Sequence, residues 1–347
     1  MNLQKYIDDR YISVQKHPTE DLYIYNYTQK CQFDRVWTEE TMMCRGLIMD
    51  GKGNIKARPF RKFFNYEEHV GEDSKLPALP LEPFQVQEKL DGSLGILYWV
   101  GDTPYLSTRG SFISEQAVKG TEILRNKNID GIFNKEFTFL FEIIYPENRV
   151  VIDYLGMEDI ILIAVIDTKS GEEVSMDDYS KYLPLVKKID GVKDVLDLKS
   201  KEEDNKEGFV IRFNSGMRVK IKFAEYVRLH RLITGVNARH IWENLKEGKG
   251  IEELIDKVPD EFYKWVKETA HKLNNEYEVI EQAICSHILD EVKDLPTRKE
   301  QAIAIMQDEE RKKYSGIIFK MLDRKEYSEG IWKMIKPKHE LPFKKEL

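Results

Sequence analysis

The chain has 347 residues, 41% hydrophobic and 33% charged, with only 20 Gly and 12 Pro; this excludes a disordered or low-complexity polymer and gives length enough for two domains. Its 54 Lys and Arg stand against 61 Asp and Glu, a net charge of −7 that excludes a uniformly positive coat for gripping nucleic acid. Cys31, Cys44 and Cys285 form an odd set without Cys-x-x-Cys or His at zinc-like spacing, which speaks against a disulfide framework or structural zinc site and for a reducing compartment.

In chain order, the N-terminus Met1 to Asp9 lacks the apolar core of a signal peptide, and the longest apolar run, Ile160 to Ile166, is far short of the roughly 20 residues of a spanning helix. The expectation is a soluble cytoplasmic protein with no membrane partner. Short β-rich runs then recur at Phe84 to Gln87, Leu94 to Val100, Phe137 to Ile144, Ile160 to Val165, Phe209 to Phe213 and Met217 to Phe223, with a helical pattern over Glu115 to Arg125. This part reads as α+β with substantial antiparallel sheet.

The texture changes near residue 235. Phe262, Trp265, Val266, Leu273, Tyr277, Ile280, Ile284 and Ile288 fall mostly at three- and four-residue steps, as the buried face of one long helix requires. Thr297-Arg298-Lys299-Glu300 after Pro296 is a capping-box signal, and Ile317-Ile318 with Met321-Leu322 continues the helical pattern. The expected division is residues 1–235 as an α+β domain and 236–347 as a helical one.

The segment richest in chemistry is Gln87-Glu88-Lys89-Leu90-Asp91-Gly92-Ser93, between two β-rich runs. A lysine at a strand edge followed by an Asp-Gly turn can aim its amine into a pocket, although alone the string equally suits a hairpin with a surface lysine. Its company weighs against the second reading: Cys44-Arg45-Gly46 upstream, and Phe141-Glu142-Ile143, Glu207-Gly208-Phe209 and Val219-Lys220-Ile221-Lys222 downstream, in β-rich runs that could meet on one face around Lys89. A lysine amine attacks only when unprotonated, so its ordinary pKa of about 10.4 is expected to be lowered by burial or by cations such as Arg45, Lys220 and Lys222. The same cations can hold phosphates, and Glu142 and Glu207 can share a magnesium ion with them. The chemistry this suits is attack of Lys89 on an α-phosphate to give a lysyl-nucleotide with loss of pyrophosphate.

On these residues the chain resembles the covalent nucleotidyltransferase superfamily of polynucleotide ligases and capping enzymes, and more closely the RNA ligase 1 family of bacteriophages. The discriminating matches are Arg45-Gly46, Arg58-Pro59-x-x-Lys62-Phe63-Phe64-Asn65, Gly110-Ser111-x-x-Ser114-Glu115-Gln116-Ala117 and Pro146-x-Asn148-Arg149, with Lys89 to Ser93, Glu142, Glu207-Gly208 and Lys220-x-Lys222 in order, over about residues 40–235. The resemblance implies an antiparallel-sheet nucleotidyltransferase (ATP-grasp-like ligase) domain and an all-α C-terminal domain concerned with RNA choice. It implies ATP as the nucleotide with Mg2+ (Mn2+ as an alternative), and Lys89 as AMP-accepting nucleophile assisted by Lys220 and Lys222. Arg45, Glu88, Gly92, Arg109, Glu142, Glu207 and Gly208 would line the ATP site, Glu142 and Glu207 would serve the metal, and Lys62 and Phe64 would lie on the functional surface beside it. The family usually has a lysine where this chain has Arg109; a charge-pairing role survives that change, a proton-transfer role would not.

The implied reaction joins RNA 5′-phosphate and 3′-hydroxyl ends, broken tRNA among the candidate substrates, by a probable monomer. DNA ligases and capping enzymes follow this domain with an OB barrel, and the helical period after residue 235 argues against both. The alternatives are a GTP-dependent capping-type guanylyltransferase and a non-catalytic RNA-binding protein that kept the fold. Residues 206–231 carry seven basic side chains against Glu207 and Glu225, and 52–62 carry five with no acid, so a local electropositive groove is expected within the acidic whole.

Overall fold

Alternation of apolar and polar side chains sets the sheets of the N-terminal part. In the computed structural model, which describes residues 3–71, 74–129, 131–255, 258, 260–338 and 342, the chain divides into two compact units, Met1–Val227 and Arg228–Leu347. The division falls inside the helix Ala224–Gly235.

The first unit contains three sheets. Strands β1 (Ile12–Lys16), β2 (Leu22–Tyr27), β3 (Arg45–Asp50) and β4 (Ile55–Ala57) form an antiparallel sheet in chain order. No strand before Phe84 was expected, because runs such as Ile-Ser-Val-Gln-Lys and Leu-Tyr-Ile-Tyr-Asn-Tyr mix polar with apolar side chains; packing against the neighbouring sheet decides them. The second sheet runs β11 (Glu173–Val174), β10 (Asp159–Asp167), β9 (Phe137–Ile144), β7 (Ser93–Val100), β8 (Thr103–Ser107). Its central strands are apolar on both faces because both are covered. Leu140, Ala164 and Ile166 pack with Ile24 and Ile48 of the first sheet, and Phe139, Phe141 and Ile143 with Ile123 and Leu124 of the helix Glu115–Asn126. Ser114 starts that helix by accepting the Ala117 N–H (3.2 Å), which gives the Gly110 to Ala117 motif a local structural task.

The third sheet runs β12 (Lys188–Ile189), β6 (Phe84–Lys89), β13 (Gly208–Phe213), β14 (Arg218–Lys222), β5 (Phe64–Asn65), antiparallel except for the β14–β5 pair. Strands β6 and β7 lie in different sheets, so no hairpin forms at Asp91-Gly92. The chain passes there from one sheet to the next.

The second unit is helical. The stripe beginning at Phe262 lies on Asp260–Ala283, which continues as a π-helical segment, Ile284–Leu289, into Asp290–Lys293; Phe262, Val266, Leu273, Ile284 and Ile288 are buried, while Trp265, Tyr277 and Ile280 are partly so. The Thr297 capping box is present: its hydroxyl accepts the Glu300 N–H (3.2 Å) and the Glu300 carboxylate accepts the Thr297 N–H (3.0 Å). Among the described residues, no helix is long and apolar enough to cross a membrane.

Candidate active site

Register brings the basic residues of the third sheet together. Lys89 of β6 pairs with Gly208 of β13, which pairs with Lys222 of β14; in the next same-face row lie Val210, Lys220 and, on β5, Asn65. Side chains two residues apart share a face, so Lys89, Lys220 and Lys222 stand on one side while Val86, Phe209, Ile211, Val219 and Ile221 fill the core on the other. Gly208 has φ +142°, and a Cβ there would collide with the Ile221 carbonyl, so this row holds no side chain between its two lysines.

Glu207, one residue before β13, is buried and bridges both lysines: one oxygen is 2.8 Å from Lys89 Nζ, the other 2.9 Å from Lys222 Nζ. Glu142 of β9 accepts the Gly92 N–H at 3.0 Å. A Cβ on Gly92 would lie 2.6 Å from the Ile143 carbonyl oxygen, so only glycine permits this approach. Asp91 acts as an anchor more than as a turn former. Its buried carboxylate accepts the N–H groups of Val151 and Ile152 (2.9 Å each) and the Tyr226 hydroxyl (2.8 Å), and its own N–H donates to Tyr154 Oη (2.8 Å). Asn148 similarly holds Ser93, donating to its hydroxyl at 3.0 Å.

The first sheet and its loops add cations. Arg45, opposite Asn26 in the β2–β3 ladder, has its guanidinium 5.5 Å from the Phe63 ring. Arg109, after β8, donates to Tyr27 Oη (3.2 Å) and lies over that ring. Lys62 Nζ sits among the rings of Phe64 (4.9 Å), Trp37 (5.3 Å) and Tyr27 (5.7 Å), a geometry that holds an ammonium without a counter-ion. Two expected site residues lie elsewhere. Glu88 alternates to the opposite face from Lys89, where its carboxylate is 3.9 Å from Lys206, and Phe64 is buried as a support for Lys62 and Trp37 instead of forming surface.

The electrostatics reverse one expectation. Burial pushes the Lys89 amine down, but the Glu207 and Glu142 carboxylates outweigh it and hold the amine above its ordinary value, as an ammonium. Among the three lysines of this face, the strong depression falls on Lys220. Burial, then the charges of Lys62, Lys89, Lys222 and Arg45, lower it to about 6, and it has no ion-pair partner among the described residues. Burial pushes Glu142 up to about 7, against the pull of Lys89. Glu207 is held below the ordinary carboxylate value because Lys89 and Lys222 outweigh its burial.

Two buried polar atoms have no hydrogen-bond partner among the described residues: Arg45 Nη1, a donor, and Asn26 Oδ1, an acceptor. With the unpaired Lys220, they leave a site that lacks an anion and a hydroxyl-like group, and a nucleotide carries both. Among the described residues no cluster of three or more His, Cys, Asp or Glu could by itself hold a metal, so Glu142 and Glu207 could supply only part of a coordination shell. Asp91, Tyr154, Asn148 and Tyr226 were not singled out as site residues. Asn148 had a signal in its Pro-x-Asn-Arg string; a lone tyrosine such as Tyr226, far along the chain, had none.

A lysine-centred basic face on antiparallel sheet, with two buried carboxylates at its lysine, defines the nucleotidyltransferase class of fold. The family model described as RNA ligase, of the T4 RNA ligase 1 type, matches residues 43–226, just over half the chain, and the chain belongs to that family. It is 30% identical over 243 residues to a Thermovibrio ammonificans protein named "Putative RNA ligase" (66% of this chain, 62% of that protein). It is 26% identical over 192 residues to an RNA ligase of Rhodothermus phage RM378 (44% of this chain, 43% of that protein), so it spans less than two thirds of the length of either relative. A solved structure of Naegleria gruberi RNA ligase with PPi aligns over 43% of this chain and 52% of its own, with 18% identity and a TM-score of 0.36.

Proposed function

We propose that the protein is an ATP-dependent RNA ligase working through a lysyl-AMP intermediate. The observation that carries this reading is the placement of Lys89 Nζ, 2.8 Å from buried Glu207, at the edge of a face bearing Lys220 and Lys222. The Lys89 nitrogen attacks the α-phosphorus of ATP: an N–P bond forms, the bond to the bridging oxygen breaks, and pyrophosphate leaves. Arg45, Lys220 and Lys222 draw the phosphates in and stabilise the charge on the departing pyrophosphate, with Lys62 and Arg109 adding to the positive field. Lys89 must first lose the proton that Glu207 and Glu142 help it keep. Magnesium or manganese, when bound, would neutralise phosphate charge, and Glu142 and Glu207 are the residues that would help hold it. AMP then passes to an RNA 5′-phosphate, and a 3′-hydroxyl displaces it to seal the strand. Broken tRNA in the cytoplasm is one candidate substrate, and the helical unit is the candidate for choosing it.

The test is incubation with α-labelled ATP and magnesium, followed by a chase with 5′-phosphorylated RNA. Label should enter the protein, leave it on adding RNA, and be released as AMP as the 5′-phosphate becomes phosphatase-resistant. Better labelling by GTP would make the protein a guanylyltransferase, and RNA binding without label would make it a non-catalytic RNA binder.

A second expectation concerns Lys220. With a pKa of about 6 in the ligand-free site it is neutral at pH 7.5, and a bound triphosphate favours its charged form. Binding of a non-hydrolysable ATP analogue should therefore take up close to one proton at pH 7.5. Affinity should fall as pH rises above 6, by at most about tenfold per unit. Calorimetry in buffers of different ionisation enthalpy measures the proton, and Lys220→Met should abolish it.

A further inference from the structure

Asn26 lies on β2, two residues beyond Ile24, so its side chain is on the face of the first sheet that packs toward the second. Its ladder partner across the β2–β3 pair is Arg45, which puts the two side chains on the same face at neighbouring positions. Asn26 Oδ1 and Arg45 Nη1 are both buried and both lack a hydrogen-bond partner among the described residues. The loop that carries Arg109 is close by: a Cβ on Gly110 would be 3.6 Å from Asn26 Nδ2.

Leaving an acceptor and a donor buried and unpaired costs about 1–3 kcal/mol each, so such a pair calls for a group that serves both. A phosphate oxygen satisfies Arg45 and leaves Asn26 facing another acceptor. A hydroxyl does both at one atom, since its oxygen accepts and its proton donates. We propose that Asn26 and Arg45 together bind a sugar hydroxyl of a nucleotide, with Asn26 as the positioning residue that accepts its proton. The inference rests on the nucleotidyl-transfer reading above. The hydroxyl is either on the ribose of ATP or on the ribose at the RNA 3′ end; the chemistry of recognition is the same for both.

The experiment compares wild type with Asn26→Leu, and with Asn26→Ala should the leucine variant melt early. Self-labelling is measured with ATP, 2′-deoxy-ATP, 3′-deoxy-ATP and ITP, and sealing with RNA ending in a ribo- or a 2′-deoxynucleotide. Wild type should favour the hydroxyl-bearing substrate in one of these arms by about tenfold or more. The variant should bring that substrate down to the rate of its deoxy analogue, so that the ratio falls to near one. Collapse in an ATP arm assigns the hydroxyl to ATP, and collapse in the sealing arm assigns it to RNA. A merely structural Asn26 would slow all substrates together and leave every ratio at its wild-type value, which overturns the proposal; so does a change confined to the ATP-to-ITP ratio, which would mark a contact with the base. Failure of wild type to take any label defeats the nucleotidyl-transfer reading itself and is distinct from a labelled wild type whose ratios ignore Asn26.

Discussion

Lys89→Ala, incubated with α-labelled ATP and magnesium under conditions that label wild type to near completion, should carry no detectable label. The effect is all-or-none because no other group can make the same bond. Lys222 is tied to Glu207, and Lys220 stands in a different row of the sheet. The variant should stay folded, since Glu207 keeps Lys222 as counter-charge after Lys89 is lost. The labelling rate of wild type should rise with pH between about 6 and 9, because the reactive amine is the deprotonated one and the carboxylates raise its pKa in the ligand-free protein. Equal labelling of Lys89→Ala and wild type would place the nucleophile elsewhere.

Glu207→Gln should have the next largest effect, on both stability and activity. Removing the charge leaves the ammonium groups of Lys89 and Lys222 partly buried without the carboxylate that bridges them, a loss on the order of 3 kcal/mol. The pH window follows from the directions of the shifts. Glu207 is lowered from an ordinary 4.5, so its contribution is present above that value and disappears as pH falls through the lowered one. Lys89 is raised from 10.5, so its contribution is present below that value and disappears as pH rises through the raised one. Urea unfolding should therefore show a wild-type advantage that is level between about pH 5 and 10 and shrinks at either side. Self-labelling with magnesium should fall by about a hundredfold or more, in line with removing one charged group from a transition-state site. Full sealing activity in Glu207→Gln would remove Glu207 from the chemistry.

The outcome for Lys89 and Lys220 shows why a charge list does not settle which amine is depressed. Both are lysines among cations, but Lys89 lies against a buried carboxylate and Lys220 does not, and that difference sends their pKa values in opposite directions. The arrangement suits a nucleophile kept in reserve until phosphates and a divalent ion compete for Glu207. It also leaves Lys220 as the group whose charge responds to an arriving anion.

Much of this protein was legible in the linear chain. The central strands Phe137–Ile144 and Asp159–Asp167, the helix Glu115–Asn126 and the long helix from Asp260 follow from hydrophobic period, because burial of one or both faces imposes a spacing visible without neighbours. Lys89, Glu142, Glu207, Lys220 and Lys222 were legible as chemistry, since charged side chains inside β-rich runs are costly to place unless something pairs with them. Tertiary structure alone decided the first sheet, whose polar-rich strands depend on the partner they cover, and the passage between sheets at Asp91. It decided that Glu88 turns away by strand alternation and that Phe64 is buried. It also set the bridge from Glu207 to two lysines and the unpaired Asn26 and Arg45 atoms. Local pattern reports what one segment must bury, whereas pKa values, ion pairs and orphaned hydrogen-bonding atoms depend on distances between segments far apart in the chain, which exist only once it has folded.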